Sequence, residues 1–279
     1  MILYIVVLVL VGAGAGYTSG LFGVGGGGVM VPALFFAFRA LGVNEDVVMH
    51  SAVATSAAMI IFNGYRSVRS HLVRDSVDMG LLWPPSEGRP WWNSYALWIG
   101  VGSFAAAWWL APRLSSDAMT AVFAGVALLV ALQFILGRPN FTLRSTVPGG
   151  AAPPVVGGSI GAVSAIMGIG GGSLSMPFLT LCGMSVHRAV GTAAGFGLAI
   201  AIPATLGFVI SGLGVPDRPV GSLGYVNLFG LAIIVISAWP FVPLGTKSAH
   251  KLKPEPLRRV FGVALALIAL NMGRVALLG

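Results

Sequence analysis

Apolar runs of roughly 18 residues or more recur along the whole chain, the length a helix needs to cross ~30 Å of hydrocarbon. Segment a covers about 2–22 and is followed by a shorter apolar piece, 29–41. Segment b, about 47–65, ends in a basic cluster of Arg66, Arg69, His71 and Arg74. A loop with Pro84, Pro85 and Pro90 leads to segment c, 94–111, which carries Trp98, Trp108 and Trp109. Segment d, 118–136, closes the first half, and the Pro- and Gly-rich stretch after it reads as a linker. The plan then repeats: a′ at 155–167, a short piece at 174–184, b′ at 189–213, c′ at 226–244 and d′ at 257–277. The chain divides into a first membrane repeat, 1–137, a linker, 138–152, and a second membrane repeat, 153–279.

Three anchors align the halves. Gly23-Val24-Gly25-Gly26-Gly27-Gly28 with Pro32 matches Gly168-Ile169-Gly170-Gly171-Gly172-Ser173 with Pro177, each preceded by a serine, Ser19 and Ser164. His50 to Thr55 matches His187 to Thr192, and Val122-Phe123 matches Val260-Phe261. Each half holds an odd number of apolar pieces, five, so the second half enters from the opposite side as an inverted repeat. The predicted fold is therefore an all-α polytopic membrane protein of two inverted repeats. Segment a′ and the short pieces are too brief to span fully, which predicts two helical hairpins broken at the glycines and meeting near the membrane midplane.

Composition and charge agree with this reading. Of 279 residues 56% are hydrophobic and 9% charged, against about 25% charged in a soluble domain. The net charge of +8 would suggest nucleic acid if its cations were not in loops. Loops 66–92, 138–152, 185–188 and 246–259 hold twelve of the sixteen Lys and Arg residues. The positive-inside rule then makes those loops cytoplasmic and both termini external, in a multi-pass protein of the cytoplasmic (inner) membrane. Nucleic acid is thus no partner, and membrane lipid is one; a homodimer is allowed but not required. The N-terminal run lacks a positive n-region and has a counterpart in the second half, so it reads as a retained span. Cys182 is the single cysteine, which excludes an intrachain disulfide and a thiolate zinc cluster.

The candidate chemistry starts at the glycines. A helix beginning just after a glycine turn presents unpaired N–H groups and the positive end of its dipole, which favour an anion without any charged side chain. Gly25, Gly26, Gly27 and Gly28 in the first stretch and Gly170, Gly171, Gly172 and Ser173 in the second are the candidate donors of a shared anion site. The alternative is that they only permit close helix packing. Thr55, Ser56 and Thr192 are candidates to line the same cavity, or they bond back to helix carbonyls. His50 and His187 are candidate polar ligands or proton relays, against a capping or interfacial role. Arg188 is a candidate counter-charge, or it snorkels to the interface. No acidic residue falls mid-span, which points away from a cation carrier. No cofactor or metal is indicated. There is also no G-x-S-x-G, H-E-x-x-H or P-loop lysine, so no enzyme is indicated.

The two glycine motifs with their prolines, A-V-A-T-S at 52–56, R-A-V-G-T at 188–192, Gly221-Ser222-Leu223-Gly224-Tyr225-Val226-Asn227 and Leu257-Arg258-Arg259-Val260-Phe261 resemble the TauE/SafE family. The resemblance covers nearly the whole chain. It implies a bacterial or archaeal membrane transporter of small sulfur oxyanions or sulfonates such as sulfite or sulfoacetate, working outward, although some members are regarded as uptake permeases. The chain departs from an even duplication in having Gly28 where the second motif has Ser173, and in its long polar linker. The rivals are an anion channel, a metal-ion permease using His50 and His187, and a membrane scaffold.

Overall fold

The computed structural model describes residues 2–22, 27–73, 75–83, 90–136, 142–251 and 254–278. Apolar chain in hydrocarbon must satisfy its backbone internally, so the runs become helices. In order these are α1 (Ile2–Phe22), α2 (Gly27–Ala40), α3 (Glu45–Leu72), α4 (Met79–Leu82), α5 (Tyr95–Ala105) and α6 (Ser116–Leu136). The second half has α7 (Gly158–Met167), α8 (Gly172–Leu181), α9 (Val186–Ser211), α10 (Leu228–Ala238), α11 (Phe241–Lys251) and α12 (Pro254–Leu278). Among the described residues the one strand pairing joins β1 (Ser222–Leu223) to β2 (Val226–Asn227). Glu45–Leu72, Ser116–Leu136, Val186–Ser211, Leu228–Gly245 and Arg259–Leu278 are long and apolar enough to cross a membrane. The fold is all-α and polytopic, as the apolar runs predict.

The outer surface carries Leu10, Leu129, Ile236, Leu267 and Leu277, all exposed, an arrangement suited to lipid rather than water. Exposed Trp91 and Trp92 precede α5, and exposed Trp108 and Trp109 follow it. At helical rise the pairs stand about 25 Å apart, the separation of two aromatic belts.

At the centre is α3, in which every residue from Val47 to Ile60 is buried. Small side chains at Ser51, Ala52, Ala54, Ser56, Ala57 and Ala58 let neighbours approach from all sides. It packs on α9, and α6 packs on α12. Contacts across the halves are reciprocal: α5 packs on α7 and α9, and its counterpart α10 packs on α1 and α3. The fit depends on glycine at matched places. Gly16 of α1 lies against Ala238, and Gly161 of α7, 145 residues later, lies against Ile99.

Three segments differ from the sequence expectation. Segment b continues to Leu72, because nothing in its basic end breaks a helix. Segment c leaves α5 through a π-helical turn, Ala106–Leu110, and a 3-10 turn, Ala111–Arg113. A carbonyl in that turn, Ala107 O, accepts from Ser211 Oγ at 3.1 Å. Segment c′ is two helices, divided at Trp239-Pro240, where proline removes a backbone donor. The linker is fastened to the membrane part, since the amides of Leu143 and Arg144 both donate to Leu181 O, at 2.8 and 3.1 Å.

Candidate functional site

The second glycine stretch forms a turn that other residues could not make. Helix α7 ends at Gly168 in the left-handed region, φ 61°. The Ile169 amide reaches back to Ser164 O at 3.1 Å, closing the helix end. A Cβ at Gly168 would meet Val31 Cγ2 at 2.9 Å and Val53 Cα at 3.0 Å, so both conformation and space demand glycine. Helix α8 then starts directly against α9. A Cβ at Gly171 would stand 2.5 Å from Ala193 O and 2.6 Å from Gly197 N.

The two stretches touch. Gly25 and Gly26, with residues 23 and 24, lie outside the described residues, but Gly27 and Gly28 open α2. A Cβ on Gly27 would be 2.8 Å from Ile169 Cα and 3.0 Å from Gly168 O. The start of α2 therefore rests on the α7–α8 turn. Ser56 of α3 fixes that turn, its Oγ donating to Gly168 O at 2.8 Å.

The chemistry of this place follows from what caps the helices. Side chains cap α3, α4, α5 and α10, through Asn44, Asp78, Ser94 and Asn227. Helix α8 has glycine at its N-cap and no side-chain cap. Its first-turn N–H groups, and the positive end of its dipole, meet no side-chain acceptor there. Ser175, in that first turn, and Ser164, before the turn, are fully buried with hydroxyls that have no hydrogen-bond partner among the described residues. A buried hydroxyl normally has one. The Ser173 amide turns back to Gly170 O at 3.4 Å; first-turn amides without a side-chain cap, on a chain segment flanked by orphaned hydroxyls, suit an anionic, oxygen-rich ligand.

The remaining candidates have the following surroundings. Thr55 and Thr192 are buried, and each hydroxyl is taken by a backbone amide of the opposite half. Thr55 Oγ1 accepts from Asn227 N at 3.0 Å, and Thr192 Oγ1 accepts from Asp78 N at 2.9 Å. His50 is buried in α3, with its Nε2 3.0 Å from Ala111 O and its ring stacked on Tyr225 at 5.0 Å between centroids. His187, its repeat counterpart, is exposed at the start of α9, so the two histidines have different surroundings. Arg188 pairs with Asp78 at 3.1 Å on the surface. Asn227 and Asp78 emerge as structural partners that the sequence reading passed over. The glycine-rich run 221–227 was the available signal, since such a run before a helix marks an ordered turn with a cap. Removal of the surface ion pair by Arg188→Ala is expected to change the unfolding midpoint by no more than its worth of roughly 0–1 kcal/mol, as thermal denaturation in detergent would report.

Comparison with known proteins gives the same class. A family model described as "Sulfite exporter TauE/SafE" matches residues 8–272. A probable membrane transporter protein of Haemophilus influenzae is 31% identical over 275 residues, 98% of this chain and 99% of that protein. Probable membrane transporter proteins of Bacillus subtilis and Methanocaldococcus jannaschii are each 27% identical, covering 96% and 97% of this chain and 96% of their own length. No solved structure matches.

Proposed function

We propose that this chain, which belongs to the TauE/SafE family of membrane transporters, is a secondary carrier of small sulfur-containing anions. Sulfite and organosulfonates such as sulfoacetate are the substrates in this reading, and the direction is outward across the cytoplasmic membrane. Membership and the apolar helices make it a multi-pass membrane transporter. The anion, the direction and the inverted arrangement of the halves belong to the proposal.

The observation that carries it is the N-terminus of α8, which lacks a side-chain cap, has the orphaned Ser175 hydroxyl in its first turn and follows directly on the turn against which α2 starts. Oxyanions and sulfonates offer several oxygens to such amides without requiring a cation. Among the described residues the acidic positions lie in loops or within the first turns of α3, α6 and α12, so none falls in the middle of a span. Reciprocal packing of the halves supports rocking of one against the other around the contact.

Titration of the purified protein with sulfite, sulfate, thiosulfate and a short alkyl sulfonate tests this. Selective binding of a sulfur anion is expected. Ser175→Ala should weaken it about two- to tenfold, the worth of one hydrogen bond, while leaving stability unchanged because the hydroxyl has no partner among the described residues. Failure of all four anions to bind, or full affinity in Ser175→Ala, would sink the site.

A further inference from the structure

We infer that the two threonine-to-amide hydrogen bonds are the latches of two gates, toward opposite ends of α9, and that transport opens them one at a time. The inference rests on the carrier reading above but not on which anion is carried.

The same bond is made twice. Thr55 and Thr192 are repeat counterparts, and each accepts the backbone amide of a helix N-cap residue in the other half, Asn227 before α10 and Asp78 before α4. A threonine within an apolar helix ordinarily bonds to its own helix. Here both hydroxyls reach across more than a hundred residues. The latches lie toward opposite ends of α9: the Tyr225 amide, two residues before Asn227, donates to Phe208 O near its C-terminus, while Asp78 bonds to Thr192 near its N-terminus. Each is one residue from the glycine contact: Ser56 donates to Gly168 O, and Ala193 O faces Gly171. A latch that opens thus moves a wall of the candidate site.

Both hydrogen bonds are made in this structure. They are not equal. Asn227 is fully buried, with its side chain held by Gly230 N, Val220 O and Ser222 Oγ, all uncharged. Asp78 instead shares its carboxylate with Gly80 N and with the Arg188 guanidinium, whose side chain is 55% exposed. One latch has a fully buried N-cap residue; the other stands beside an ion pair that is partly exposed and weakened by salt. Asp78 and Asn227 act through the threonines, so they are positioning residues.

The test is sided labelling. In a Cys182→Ser background, Ser173→Cys places a reporter thiol at the start of α8, and a membrane-impermeant thiol reagent is applied to either face of oriented vesicles. Thr192→Val should raise labelling from the face bearing Asp78 about two- to tenfold, the population shift that loss of one hydrogen bond supplies, and lower it from the other. Thr55→Val should do the mirror image. Arg188→Gln and added salt should act on the Asp78 face alone, and Thr192→Ser should restore the parent pattern. Labelling that shifts the same way in both valine variants, or in neither, with unfolding midpoints at the parent value, would overturn the latches. Because labelling needs no substrate, opposite shifts without anion binding would leave the latches standing and remove only the anion reading.

Discussion

Gly171→Leu is expected to leave no folded transporter in the membrane. The missing Cβ at Gly171 is replaced by backbone, with Ala193 O at 2.5 Å and Gly197 N at 2.6 Å from where a side chain would begin. Overpacking against flexible side chains costs about 1–3 kcal/mol. Here the opposing atoms belong to the backbone of a helix, and a loss of about 4 kcal/mol or more puts the variant among the exceptional destabilisers. The readout is a monodisperse peak and a thermal transition in detergent. Gly125→Leu is the control, since nothing stands within 4 Å of its Cβ position on α6. A Gly171→Leu protein with the parent's stability would mean that α8 does not start against α9. This also separates packing from binding: at Gly170 the nearest neighbour is the Ile60 side chain at 3.4 Å, so Gly170→Ala should fold and report on anion affinity instead.

Asn227→Ala is the second large effect. Asn227 is fully buried, and hydrogen bonds hold its side chain: Oδ1 accepts from Gly230 N at 2.6 Å, and Nδ2 donates to Val220 O at 3.1 Å and Ser222 Oγ at 3.2 Å. Alanine removes the cap of α10, worth about 1 kcal/mol, and strands buried polar groups at about 1–3 kcal/mol each. A net loss of about 2–4 kcal/mol is expected as a lowered unfolding midpoint. Asn227→Asp keeps the capping oxygen but loses both donors, so it should fall between. Stability equal to the parent in Asn227→Ala would show that the β1–β2 turn is not what fixes α10.

Sequence carried the helices well because hydrocarbon removes the ambiguity that water allows. A run such as 118–136 has one way to satisfy its backbone, and it is α6. The second glycine stretch was legible as a turn, and its contact with Gly27 joins it to the start of α2. What periodicity could not supply were pairings between distant turns. Thr55 reads as a cavity hydroxyl until Asn227, which is 172 positions away, is seen beside it. Arg188 reads as an anion's counter-charge until Asp78 is found at 3.1 Å. The division of c′ at Pro240 was readable in principle, but uniform hydropathy across 226–244 concealed it.

The reciprocal packing of α1 on α10 and of α5 on α7 and α9 has a consequence for biosynthesis. Gly12 and Gly16 of α1 are shaped to receive Ile234 and Ala238, residues made on the order of 200 codons later. At ribosomal speeds of about 5–20 residues per second, the first helix waits about 10–40 s for the surface it fits. During that interval its glycine face is bare to lipid or to the insertion machinery. Neither half completes its helix contacts until the other has emerged, so the nascent chain matures late and all at once rather than helix by helix.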